Sequence, residues 1–359
     1  MLKKSLKYTL SLALAAILLW FSFRDVEWHK FMEDLKECHI GFILISMAAG
    51  IFAFWLRALR WRELLLPIDP NTKRITTFNG INIGNISNFV FPRIGEFVRC
   101  GVIVRRGRRS LDYARDDRGE ARDDRGEARD DRGEARDDRG SALSGKGISY
   151  DQVLGTVVLE RGWELLVMLL MLALVLVLGF ERFGNFFIES IWAPTSVKMD
   201  LWWIIAVGCL VLTAGVAAVL KFRNRNALCN KIASIFQGIM KGFSTCLQME
   251  KKWKFFLYTL LIWMTYWFMA SCTVWSAPFL SHLDVVDALF LSLVGGLGFA
   301  VPVPGGIGAF HFIIGLTLST VYGVPMETAI IYATISHTSQ AITQIFCGAA
   351  SYSYEALKK

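Results

Sequence analysis

The apolar residues of this chain come in long blocks, and that arrangement restricts the possible folds more than any other feature. Residues 6–23, 40–56, 153–180, 201–220, 255–275 and 327–350 each hold an apolar run close to the roughly 17 to 25 residues an α-helix needs to cross a bilayer core. With 54% of 359 residues hydrophobic, including 26 Phe and 12 Trp, the chain carries more apolar surface than one soluble core would hide. It is expected to be an all-α polytopic membrane protein with about six transmembrane helices. The first block follows Lys3, Lys4 and Lys7 and has the outline of a secretory signal peptide. Beside so many later spans it reads as a retained anchor.

The net charge of +8 would point to nucleic acid in a soluble protein, but here the distribution of the basic residues gives a simpler account. Arg57, Arg60, Arg62, Lys73 and Arg74 follow the second run, and Lys221, Arg223, Arg225, Lys231, Lys241, Lys251, Lys252 and Lys254 lie between the fourth and the fifth. No Lys or Arg occurs from Phe255 to Leu357, and the stretch after the fifth run carries His282, Asp284 and Asp287. Short cytoplasmic loops are enriched in Lys and Arg, so both termini are expected on the cytoplasmic side, with no nucleic-acid partner. Residues 222–254 alternate basic clusters with Leu228, Ile232, Ile235, Phe236, Ile239 and Phe243. That pattern reads as an amphipathic helix on an anionic membrane surface.

Three features are set aside. Cys38, Cys100, Cys209, Cys229, Cys246, Cys272 and Cys347 are odd in number and contain no C-x-x-C pair, so neither a disulfide framework nor a zinc site is expected. Residues 114–140 repeat Ala-Arg-Asp-Asp-Arg-Gly-Glu, with no apolar residue larger than Ala. Such a segment cannot bury enough surface to offset chain entropy and lacks the apolar a and d positions of a coiled coil. It is read as a charged cytoplasmic insert, spanning 110–148, in a single integral membrane domain covering 1–359. Gly140 to Gly147 approaches a phosphate-binding loop, but Gly147 stands where Ser or Thr would hold magnesium, and no apolar strand precedes it. No nucleotide and no other cofactor is expected.

The polar exception to the apolar pattern is concentrated in one place. Asn79, Asn82, Asn85 and Asn88 stand at every third position and run into Phe91-Pro92-Arg93-Ile94-Gly95-Glu96-Phe97-Val98-Arg99. If residues 75–91 spanned the membrane, Arg93, Arg99, Arg105, Arg106, Arg108 and Arg109 would emerge on the side otherwise poor in basic residues. A re-entrant hairpin broken at Pro92 to Gly95 avoids the conflict, since proline removes a backbone donor and glycine permits the turn. A second break is expected at Val301-Pro302-Val303-Pro304-Gly305-Gly306-Ile307-Gly308, between apolar arms 288–300 and 309–322. Two interrupted segments entering from opposite faces are the pattern of an inverted repeat with its site at the midplane.

The chemistry then falls on a small set of groups. Arg93 offers a planar fork of donors matched to phosphate oxygens. Glu96 is either its counter-ion, making a structural pair that holds the hairpin, or a ligand for a cationic head group. The asparagine amides either line a polar path or bond to neighbouring helices. In Leu159-Glu160-Arg161-Gly162-Trp163-Glu164, one helical turn puts Glu160 and Glu164 on one face, with Arg161 either beside them or reaching the interface as an anchor. His311 and His337 are candidates for proton coupling that more often prove to be satisfied polar groups.

At these residues the chain resembles a known family. Asn85-Ile86-Ser87-Asn88 running into Pro92-Arg93-Ile94-Gly95-Glu96-Phe97-Val98-Arg99, then Leu159-Glu160-Arg161, then Pro302-Val303-Pro304-Gly305-Gly306-Ile307-Gly308 look like signatures of the lysylphosphatidylglycerol synthase transmembrane (flippase-like) family. The resemblance implies a multi-pass protein of the bacterial inner membrane, related to the module that moves aminoacylated phospholipid between leaflets. Full-length synthases add a soluble aminoacyl-transfer domain, which is not expected here, so the chain is not expected to make lysyl lipid itself.

Together these readings give Asn82, Asn85, Asn88, Arg93, Glu96, Arg99, Glu160, Arg161, Glu164, Pro304, Gly305 and Gly306 as candidate substrate-binding residues. The expected partner is a membrane phospholipid or lipid-linked substrate, and translocation is the leading reading. A membrane-embedded transferase using Glu96 or Glu160 as base is the alternative, although no acidic metal-binding cluster stands in an apolar context. A non-transporting partner of an envelope assembly is a third.

Overall fold

The computed structural model describes residues 2–24, 26–107, 148–178, 210 and 251–358, and within them the secondary structure is helical throughout. The run 201–220 apart from Leu210, the charged repeat, the loop at 140–147 and most of the basic stretch 222–254 lie outside the described residues. The helices are α1 (Leu2–Phe23), α2 (Trp28–Glu37), α3 (Ile40–Leu65), α4 (Arg74–Val90), α5 over residues 95–107, α6 (Tyr150–Leu178), α7 (Lys252–Ser276), α8 (Val285–Ala300), α9 (Ala309–Tyr322) and α10 (Met326–Leu357).

Three described segments are long and apolar enough to cross a bilayer: Ile40–Leu65, Lys252–Ser276, and Pro304–Tyr322. Six were expected. The runs 40–56 and 255–275 are met, the first run, 6–23, is described only as the shorter apolar stretch Thr9–Phe23, and 201–220 lies outside the described residues apart from Leu210. In α6 the charges Glu160, Arg161 and Glu164 interrupt the apolar stretch, and in α10 Ser, Thr, His and Gln side chains do the same. Pro304–Tyr322, expected as a short returning arm, reaches spanning length only when the 3₁₀ turn Pro304–Gly306 and the linking Ile307 and Gly308 are added to the 14 residues of α9.

Both expected breaks are present as helix-turn-helix hairpins. The first interrupts helix at residues 91–94, where Phe91 is extended and Arg93 takes a left-handed φ of 64°. Asn88 closes this turn: its Oδ1 accepts a hydrogen bond from the Gly95 backbone N–H at 2.8 Å, capping the start of α5. A Cβ on Gly95 would collide with the Gly84 carbonyl oxygen, so glycine is what lets α5 fold back directly along α4. The second turn runs through Val301–Gly308, with Gly305 at φ 59°. A Cβ on Gly298 would stand 2.8 Å from the Phe310 Cα, which places α9 against α8.

After α1 and α2, the described residues run long helix, hairpin, long helix twice: α3, α4–α5, α6 and, beyond 179–250, which apart from Leu210 lie outside the described residues, α7, α8–α9, α10. The two leading helices α3 and α7 lie along each other, and α10 packs on α4, α9 and α3. One core joins α7, α8, α9 and α10 through Leu291, Leu293, Ile314, Leu318 and Ala333. A second joins α3, α4, α5 and α6 around Trp61, which is fully buried and donates from Nε1 to Thr156 Oγ1 at 3.0 Å. The outer faces remain apolar: Ile40, Phe52, Leu169, Leu170, Phe256 and Leu260 are all exposed. Such a surface favours aggregation in water and is the ordinary exterior of a helix bundle in lipid.

Candidate functional site

Seven ionisable side chains from three helices meet between the hairpin α4–α5 and the long helices. α3 supplies Arg57 and Arg60, α5 supplies Glu96 and Arg99, and α6 supplies Glu160, Arg161 and Glu164. Spacings of three and four residues put Arg57 with Arg60, Glu96 with Arg99, and Glu164 with both Glu160 and Arg161 on shared helix faces. Arg60 Nη2 donates to Glu160 Oε1 at 3.1 Å and to Glu164 Oε1 at 2.5 Å. Arg99 Nη1 stands 2.7 Å from Glu160 Oε2, and its guanidinium lies over the Trp61 ring at 4.7 Å. Arg161 bridges two acids, reaching Glu96 Oε1 at 2.9 Å and Glu164 Oε2 at 2.7 Å. Arg57 is the loosest member, with Nε 3.9 Å from Glu164 Oε1. Arg60 and Glu160 have no exposed side-chain surface. At that depth only mutual pairing keeps the ionised forms tolerable, because an isolated buried charge costs several kcal/mol or more.

These partners differ from the simplest sequence expectation. Glu96 pairs with Arg161 on α6, not with Arg93 three residues away. Arg93 instead donates from Nη2 to the carbonyl oxygen of Ala300, the last residue of α8, and so ties the tip of one hairpin to the other. Phe89 packs against Gly305 at the same junction. Arg161 is not a free interfacial anchor, since both its ion pairs point into the cluster.

The asparagine ladder divides by height. Asn79 Nδ2 donates to Glu355 Oε1 at 2.8 Å and Asn82 Nδ2 to Ser351 Oγ at 3.3 Å, both on α10. Those two amides hold helices together. Asn85 and Asn88 line a cavity instead, and Asn88 also caps α5. A ridge with period three drifts round a helix of 3.6 residues per turn, which explains why the lower and upper ends face different neighbours.

The cavity, about 420 Å³, lies between the two hairpins, walled by α3, α6, α7 and α10. Its polar side presents Arg57, Asn85, Asn88, Arg93, Glu96, Arg161 and Glu164, with Gln340 and Gln344 from α10. Its apolar side presents Phe54, Met168, Ile262, Met269, Leu291 and Ile314. Gly305 and Gly306 border it, whereas Pro304 is buried outside its lining. Asn82 and Glu160 do not line it, and Arg99 reaches only a small adjoining recess. His337 donates from Nε2 to the Gly305 carbonyl at 2.9 Å, holding the second turn, and its ring centroid lies 4.9 Å from that of His311.

Sequence reasoning missed Arg57 and Arg60 as members of the site, reading them as basic residues that follow the second run. Helix α3 continues to Leu65, so both arginines belong to the helix and are buried. Their spacing of three residues, matching the Glu160–Glu164 face, was the available signal. Gln340 and Gln344 were missed for a different reason: isolated amides in a helix carry no motif.

The family model described as the lysylphosphatidylglycerol synthase TM region fits residues 8–114 and 139–348, passing over most of the charged repeat. Comparison with curated proteins and with solved structures gave no match.

Proposed function

The chain belongs to the family of the lysylphosphatidylglycerol synthase TM region, and on that premise we propose that this membrane protein translocates a phospholipid or lipid-linked head group between leaflets. The observation that carries the reading is the cavity: ionisable and amide groups on one wall, aliphatic and aromatic groups on the other, and two hairpin tips meeting at its edge. An amphiphile needs both walls at once. A head group crossing lipid must exchange hydration for fixed polar partners, and the tail must stay in apolar surroundings.

In this reading the hairpins α4–α5 and α8–α9 are re-entrant and enter from opposite faces. The doubled order of long helix, hairpin and long helix is an inverted repeat. The distribution of Lys and Arg supports cytoplasmic termini, and the family supports the bacterial inner membrane. Glu96, Arg161 and Glu164 line the path. Arg60 holds Glu164 from behind and is itself held by Glu160, which also pairs with Arg99.

The test is reconstitution into vesicles carrying a head-group-labelled phospholipid or polyprenyl lipid, with outer-leaflet label quenched from outside. The protein is expected to make inner-leaflet label accessible. Glu96→Gln with Arg161→Gln should slow this by about tenfold or more, since charge-assisted contacts are lost on the path. Vesicles in which none of the labelled lipids moves faster than in protein-free controls would refute translocation.

A further inference from the structure

Four arginines in the cluster share three carboxylates. Glu160 is taken by Arg60 and Arg99, Glu164 by Arg60 and Arg161, and Glu96 by Arg161. The cation left over is Arg57. It makes no hydrogen bond, and its nearest acid stands 3.9 Å from Nε. Its side chain is 10% exposed, and what remains open faces the cavity. Arg93, also on the cavity wall, adds a further positive charge that is neutralised by no acid, because its partner is a backbone carbonyl. The described wall thus carries three arginines against two carboxylates; Arg93 is exposed, so the charge that is costly to leave loosely paired is that of buried Arg57.

Unsatisfied hydrogen-bonding capacity points the same way. Among the described residues lining the cavity, Arg57 Nε, Asn85 Nδ2, Arg161 Nε and Trp263 Nε1 are buried donors without a partner. One buried acceptor there is open, Glu96 Oε2, on a carboxylate already held by Arg161. Buried polar groups in folded proteins are paired with few exceptions, so a donor-rich wall implies an acceptor-rich ligand. The apolar wall opposite, with Phe54, Met168 and Ile262, implies that the ligand also has a tail.

We infer that Arg57 and Asn85 form an anion subsite that takes the phosphate of a membrane lipid, in preference to a neutral or cationic head group. The guanidinium fork matches phosphate oxygens, and the Asn85 amide supplies a neutral donor beside it. This rests on reading the cavity as a lipid site, and it specifies which end of the lipid the protein holds: the phosphate rather than any amine attached to it.

The experiment measures the melting temperature of the purified full-length protein in neutral detergent. The additives are dioleoyl phosphatidylglycerol, dioleoylglycerol, a cationic lipid with the same chains, and inorganic phosphate. Phosphatidylglycerol is expected to stabilise at a concentration about tenfold lower than dioleoylglycerol or the cationic lipid, as a charge-assisted contact allows. Arg57→Gln should remove that preference while leaving the response to dioleoylglycerol unchanged. Arg57→Lys, which keeps the charge but not the fork, should retain part of it. Equal response of the wild type to all three lipids overturns the subsite, as does an undiminished preference in Arg57→Gln. If Arg57→Gln does not fold, the wild-type lipid series and Arg57→Lys decide, and an undiminished preference in the lysine variant counts against the fork. Protection by inorganic phosphate that the lipid does not exceed overturns the lipid as its source. Anion preference without movement in vesicles would keep the subsite and remove translocation. Movement equally fast for every lipid, in wild type and Arg57→Gln alike, would keep translocation and remove the subsite.

Discussion

The hairpin α4–α5 turns on Phe91-Pro92-Arg93-Ile94 and carries Arg93, Glu96 and Arg99 at and after its tip. The hairpin α8–α9 turns on a Pro- and Gly-rich stretch and has no Asp, Glu, Lys or Arg from Ala288 to Met326. Both fold back tightly, and each does so where a glycine lets backbone approach backbone: Gly95 on Gly84 in the first, Gly298 on Phe310 in the second. The break therefore does not require charge, since the second hairpin makes it without any. The ions of the first hairpin are there for what they face, α3, α6, the cavity and, for Arg93, the end of α8, and not for the turn itself.

The largest effect should come from breaking that charged half at its centre. Glu160→Gln leaves Arg60 and Arg99 competing for the remaining carboxylates with no exposed surface to relieve them. Removing one partner of a buried ionic group costs about 3 to 5 kcal/mol. Denaturation of the purified protein in detergent should report a loss of that size. A loss near zero would mean that the cluster tolerates a spare cation without help, and would weaken the case for charge as a constraint on this half.

The apolar half should fail through backbone geometry instead. At Gly305→Ala the new Cβ meets the Phe89 ring, and φ of 59° is unfavourable for any residue with a side chain. The combined cost is about 1 to 3 kcal/mol. Adding Phe89→Ala removes the collision but not the conformational term, so Gly305→Ala should cost less when introduced into that background. The same melting measurement checks both. An unchanged melting temperature for Gly305→Ala alone would show that the second turn is softer than its packing on Phe89 implies.

These two halves were unequally legible in the sequence. Pro92, Gly95, Pro302, Pro304 and Gly305 announce their breaks locally, because the conformations they permit or forbid are properties of single residues. The partners of the ions are not local properties. Glu96 lies three residues from Arg93 in the chain, yet it pairs with Arg161, 65 residues away. Only the return of α5 along α4, and the contact of α5 with α6, decides between those pairings. The ladder shows the same division: its period could be read directly, but which asparagines met Ser351 and Glu355 on α10 depended on a helix more than 250 positions distant. Arg57 and Arg60 were obscured by a sound rule, since basic residues after an apolar run usually mark its cytoplasmic end.

The smallest effect should follow from removing residues 115–138, which would ask whether the polar character of the first half extends into its neighbouring connection. The family match stops at 114 and resumes at 139, so the shared pattern is complete without that stretch. Its charges nearly cancel within each repeat, and it holds no apolar residue larger than Ala to contribute to a core. Shortening the connection between α5 and α6 alters loop-closure entropy only logarithmically, by about 0.6 kcal/mol per halving. Deletion should therefore shift stability by no more than about 1 kcal/mol and leave lipid movement in vesicles at the wild-type rate. A larger loss would tie the repeat to the charged hairpin, and the contrast between the halves would then begin outside the bundle rather than at Arg93, Glu96 and Arg99.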